Sequence, residues 1–170
     1  MSRLLLAAAV LLVTSAAFAQ QGRIASDFEV ARIERQLASS RDFLAQLSAR
    51  LNLGDVRMTR HERSLARVEY GRALALAATE RQRARTDGDI TQYATATSYA
   101  ALAHAKLGET SEAFELLEES LRVSGDSAKS WNLYSTSMSV LGRSAKVVAG
   151  ARNAVTIAQR SLEADATVDH

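Results

Sequence analysis

The dipeptide Leu107-Gly108 recurs as Leu141-Gly142, a displacement of 34 residues. Each copy closes a stretch of helix-forming residues. A short polar turn follows each, Glu109-Thr110-Ser111 in the first case and Arg143-Ser144 in the second. Glycine adopts the positive φ that ends an α-helix, and a serine hydroxyl accepts from the free amides that open one. Gly108 and Gly142 are therefore expected to stop helices, and Ser111 and Ser144 to cap the helices that follow. A fixed period with one such turn per copy describes a helical hairpin repeated in tandem. The rest of the chain agrees with that constraint. Its 170 residues include no proline to interrupt a helix, and alanine and leucine make up much of the 47% that is hydrophobic. The length suits one small domain.

In register, the first repeat runs from about Tyr93 to Ser127 and the second from about Ala128 to Ser161. Trp131 is an early aromatic on the first helix of its pair. Ala113 occupies a small position where the paired helices would cross, and Ser120 and Ala154 are small residues nearer the end of the second helix. With the 34-residue period, these positions make residues 91–162 resemble the tetratricopeptide repeat (TPR) family. Departures occur at Thr97 and Val147, and at Gly125 and Arg160, which stand where the family often has proline. The resemblance implies an all-α fold of antiparallel helical hairpins, a TPR-like right-handed α-solenoid of two repeats. It also implies protein binding, through a groove lined by the first helix of each pair. The family's groove positions fall on Ser98, Leu102, Ala105 and Lys106 in repeat one, and on Lys129, Asn132, Thr136 and Ser139 in repeat two. Two lysines and an amide there would suit a carboxylate, such as a peptide C-terminus.

Residues 1–19 read as a signal peptide. Arg3 supplies the positive n-region, Leu4 to Val13 the apolar stretch, and Ala17-Phe18-Ala19 a small-x-small cleavage site, so the mature chain would begin at Gln20. The stretch is short for a bilayer span, and no second one follows, so no stable membrane insertion is expected after cleavage. Arginine outnumbers lysine 18 to 3, as in a GC-rich bacterial genome, which points to a periplasmic or secreted protein. Cleavage leaves 20 basic and 19 acidic residues. So even a balance, with export, argues against nucleic acid as the partner.

Residues 20–90 are expected to form a long helical hairpin. Val30, Ile33, Leu37, Leu44, Leu47 and Leu51 follow a heptad, with Ser40 the polar exception. Ser26 or Asp27 would cap that helix, and Asn52-Leu53-Gly54-Asp55 would end it. A second helix from about Arg57 to Arg85 would show an apolar face of Leu65, Val68, Leu76 and several alanines. Thr86-Asp87-Gly88-Asp89 would break it, with Asp89 capping the next helix. The heptad seam suits either an intramolecular partner or a homo-oligomeric coiled coil. Residues 163–170 form a polar tail.

Little in the chain speaks for chemistry. With no cysteine there is no disulfide, thiolate metal site or cysteine nucleophile. His61, His104 and His170 are far apart, and no H-E-x-x-H pattern occurs. Glu112, Glu115 and Glu119 share a helix face but read as solvated carboxylates. The expectation is an exported, non-enzymatic protein with no cofactor and no metal, which binds a peptide or protein segment of the cell envelope. The alternative is a structural protein that self-associates through its N-terminal heptad helix.

Overall fold

The structure, a computed structural model, describes residues 27–124, 127–143, 146, 149–157, 159 and 160. The expected leader, the caps at Ser26 and Ser144, Gly125, Val147 and the tail 163–170 lie outside the described residues. The fold is all-α. Helix α1 spans residues 27–39. It is followed by α2 (Phe43–Thr59), α3 (Arg63–Asp87), α4 (Ile90–Leu107), α5 (Thr110–Ser124) and α6 (Ala128–Val140). A seventh, α7, includes residues 149–157. Helices α2 to α5 each pack on their successor, and α4 also packs on α6.

Four of the connections close alike. After α2, the amide of Glu62 donates to the carbonyl of Arg57, and that of His61 to Met58. The same pair of backbone bonds closes α3 at Gly88, α4 at Gly108 and α6 at Gly142. This is the Schellman closure, in which the residue past the cap is left-handed. Gly88, Gly108 and Gly142 have φ of 72°, 85° and 69°, as the Thr86–Asp89 break and the repeated Leu-Gly predict. After α2 the residue in that position is His61, with φ 63°. The Asp89 carboxylate caps α4, accepting from the amide of Gln92 at 2.8 Å. Helix α5 already begins at Thr110, so Ser111 lies in its first turn instead of capping it.

The N-terminal half departs from expectation. The heptad does not run through one helix. It breaks at Ser40–Asp42, around the polar residue in the seam. There the Asp42 carboxylate accepts from the amide of Ala45 at 2.7 Å and starts α2. Helix α2 then passes through Asn52-Leu53-Gly54-Asp55, the segment expected to stop it. A close approach requires glycine at this helical position: a Cβ on Gly54 would lie 2.2 Å from the Tyr70 ring. Residues 27–87 are thus three helices, and the turn before α3 falls at residues 60–62.

The core shows why α3 also reads differently. Its buried side is Ala66, Tyr70, Ala73, Ala77 and Ala84, spaced by three, four or seven residues, while Leu65 and Val68 are exposed. Small residues let α2 and α4 pack closely on α3, so its buried face is mostly alanine, with Leu74 and Leu76 partly buried against the same core. Helix α4 is the centre of the bundle. It buries Tyr93 through Ser98, Ala100 through Ala103, and Ala105. The expected crossing positions Ala113, Ser120 and Ala154 are likewise buried.

Candidate functional site

The residues expected to line a groove separate into three groups. Ser98, Leu102 and Ala105 do not line one. Ser98 is fully buried. The Ser120 hydroxyl donates to the carbonyl of Ala94 at 3.0 Å, so Ser98 must donate to Ser120, across 2.5 Å. Leu102 is buried in one cluster with Leu47 and Leu51 of α2. Leu133 of α6 packs against the same cluster. Ala105 is also buried. The reason is topological: α4 is enclosed by α2, α3, α5 and α6, so its side chains are spent on packing.

Lys106 belongs to the second group. Its ammonium donates to both carboxylate oxygens of Asp55, at 2.6 and 2.8 Å, and sits 5.7 Å from the centre of the Tyr70 ring. The Tyr70 hydroxyl donates to the same carboxylate at 2.7 Å. Burial, and then this hydrogen bond, raise the Tyr70 pKa well above the ordinary phenol value. Lys106 therefore ties α4 to α2 and has little left to offer a ligand.

The third group stays open. Lys129, Asn132, Thr136 and Ser139 are all exposed and form one stripe along α6. The Lys129 ammonium lies 5.9 Å from the centre of the Tyr99 ring. The Tyr99 hydroxyl in turn meets Ser48 of α2 at 3.3 Å. Burial lowers the Lys129 pKa, and the nearby charge of Asp42 only partly offsets this. The stripe thus starts at a partly desolvated cation on the face where α2, α4 and α6 meet.

A polar cluster on the α3–α5 side had no counterpart in the sequence reading. Arg81 donates to Thr97 at 3.0 Å, to the Tyr93 hydroxyl at 3.3 Å and to Glu119 at 2.9 Å. Tyr93 also donates to Glu119. Arg85 donates to the Tyr93 hydroxyl at 2.8 Å, and its guanidinium lies 5.2 Å from that ring's centre. Glu119, read as a solvated carboxylate, is instead held on two sides. Glu112 and Glu115 are exposed, as expected. The one available signal was that Arg81 and Arg85, like Tyr93 and Thr97, are one turn apart and share a helix face. Nothing in the sequence pairs those faces.

His104 and His61 are the two histidines among the described residues. The Nδ1 of His104 is 2.6 Å from a carboxylate oxygen of Glu109, which spans the α4–α5 turn. His61 forms the turn before α3. Among the described residues, no group of His, Asp and Glu side chains has the arrangement of a metal site. No helix there is long and apolar enough to cross a membrane.

No family model matches the chain, and none of the curated proteins is significantly similar to it. The likeness to TPR repeats therefore rests on the 34-residue period and the positions that carry it.

Proposed function

We propose that this is an exported, non-enzymatic helical interaction protein of the TPR type, which docks a peptide or protein segment of the cell envelope. One observation carries the reading. The stripe Lys129, Asn132, Thr136 and Ser139 is left exposed on α6, beginning at a cation stacked on Tyr99, while the corresponding side chains of α4 are buried. The docking surface is accordingly narrower than two repeats would provide: it is α6 together with Tyr99. An ammonium and an amide one turn apart suit an acidic or C-terminal carboxylate, and the hydroxyls beyond them suit the backbone of an extended segment.

Two measurements test this. N-terminal sequencing of protein from fractionated cells should begin at Gln20 in the periplasm or medium; an uncleaved cytoplasmic chain would remove export. A photoreactive amino acid in place of Asn132 should give a discrete adduct with an envelope protein, and Lys129→Glu should remove that adduct. An adduct insensitive to Lys129→Glu, or none at all, rejects the groove. Self-assembly through the N-terminal helix is the weaker reading, because the seam residue Ile33 is buried within the chain.

A further inference from the structure

A cleft of about 350 Å³ opens where the end of α3, the start of α4 and the last turns of α5 meet. It lies apart from the α6 stripe and shares none of its residues. One wall is apolar: Ala84, Ile90 and Val123. Ile90 is 63% exposed, and with Ala84 and Val123 it leaves an aliphatic surface open at the cleft. Arg85 and Arg122 also line the cleft, and both are exposed. A second hollow of about 240 Å³ shares Ile90 and Val123 and continues toward Ser127 and Ser130, so the two form one trough.

The charges within the cleft are unevenly satisfied. Both of its carboxylates accept hydrogen bonds. Glu119 accepts from Arg81 and Tyr93, and Asp89 caps α4. Arg85 reaches only the neutral Tyr93 hydroxyl and the face of that ring. Among the described residues, neither Arg85 nor Arg122 forms an ion pair. Tyr93 is itself fixed by Glu119, so Arg85 is held in place at the rim instead of moving freely in solvent. Two arginines with no ion pair among the described residues, beside an open aliphatic surface, are complementary to a ligand that is both acidic and aliphatic. The volume lies at the small end of ligand pockets, enough for one or two side chains and not for a folded surface.

We propose that this cleft is a second docking site, which binds an acidic segment of a partner protein by taking an aliphatic side chain against Ile90 and Val123 and a neighbouring carboxylate between Arg85 and Arg122. Part of the recognition is prepaid by the Arg81–Tyr93–Glu119 cluster, which orders Arg85 before any ligand arrives.

The test uses the full mature chain and a fluorescein-labelled octapeptide that alternates leucine and aspartate. Fluorescence anisotropy should report saturable binding that weakens with added salt. Peptides with lysine for aspartate, or serine for leucine, should bind roughly tenfold more weakly or not at all, since each loses one set of contacts. Arg85→Glu and Arg122→Glu should each weaken the acidic peptide by roughly tenfold, and Ile90→Asp by a similar factor. All three positions are exposed, so circular dichroism should show the helical fold retained. Lys129→Glu should leave this affinity unchanged, which separates the cleft from the α6 stripe. Equal binding of all three peptides, unaltered affinity in the double arginine variant, or tighter binding of a labelled oligonucleotide would each overturn the proposal.

Discussion

Gly54 and Tyr70 are each held in place by the other. The tyrosine ring presses against α2 where only glycine leaves room, and its hydroxyl is fixed by the carboxylate of the next residue, Asp55. Gly54→Ala should destabilise the protein by about 1 to 3 kcal/mol, the usual cost of overpacking. A double-mutant cycle with Tyr70→Leu checks the cause: the alanine should cost much less once the ring is gone. Tyr70 also makes stability depend on alkaline pH. Its pKa is raised above the ordinary 10.0, so the folded state holds the phenolic proton more tightly than the unfolded chain does. That contribution is complete below pH 10 and is lost as pH rises above it. Tyr70→Phe should cost about 1 kcal/mol at neutral pH by removing the bond to Asp55. Above pH 10 its stability should fall less steeply than the wild type's, as denaturant melts at several pH values would show. The sequence showed Gly54 as a glycine with turn-forming neighbours, which is why it read as a helix stop. A close approach by a residue sixteen positions away leaves no local trace.

The helix ends divide into those readable from the chain and those that were not. Gly88, Gly108 and Gly142 close their helices as the repeated Leu-Gly and the Thr86–Asp89 break predict, because the left-handed conformation is chosen by the residue itself. His61 performs the same closure without being glycine, so no composition rule could find it. A left-handed non-glycine residue costs roughly 1 to 2 kcal/mol. His61→Gly should therefore raise the melting temperature, by relieving about 1 kcal/mol. Gly108→Ala should lower stability by about the same amount, although its Cβ would meet no neighbour within 4 Å. A His61→Gly protein no more stable than the wild type would mean that the imidazole contributes more than the turn does. The break between α1 and α2 had its own local signal, since Asp42 is a strong cap and Ser40 interrupts the heptad. The apolar spacing of three and four residues outweighed that signal because it continues in phase on both sides of the break.

In the whole molecule α4 is the organising element, and its position decides what the surface can do. Four helices surround it, so the alanine-rich composition that promised a helix also provided the close packing that removes half of the expected groove. The N-terminal seam is consumed in a similar way. Ile33, with Val30 and Leu37, packs on Ala49, Leu53 and Val56, while Leu47 and Leu51 enter the main core. Ile33→Ala should release α1 from α2. Hydrogen exchange over residues 27–39 should accelerate, while the mass from light scattering stays that of the wild type. A fall in mass on substitution would instead reveal an oligomer joined through this helix. Buried polar groups are fully served throughout: among the described residues no buried side-chain nitrogen or oxygen lacks a partner. Glu69, almost completely buried, is matched by Arg50 of α2 and Arg72 of its own helix.

Local chemistry accounts for the all-α class, for the helix closures at Gly88, Gly108 and Gly142, and for the cap at Asp89, because each depends on residues within one turn of chain. Packing settled the rest. It drew Gly54 into a helix, turned the alanines of α3 inward and Leu65 and Val68 outward, and buried Ser98, Leu102 and Ala105. It also brought Arg81, Tyr93 and Glu119 together from three helices. These outcomes depend on which faces meet at what distance, and a periodic pattern marks a face without naming its neighbour.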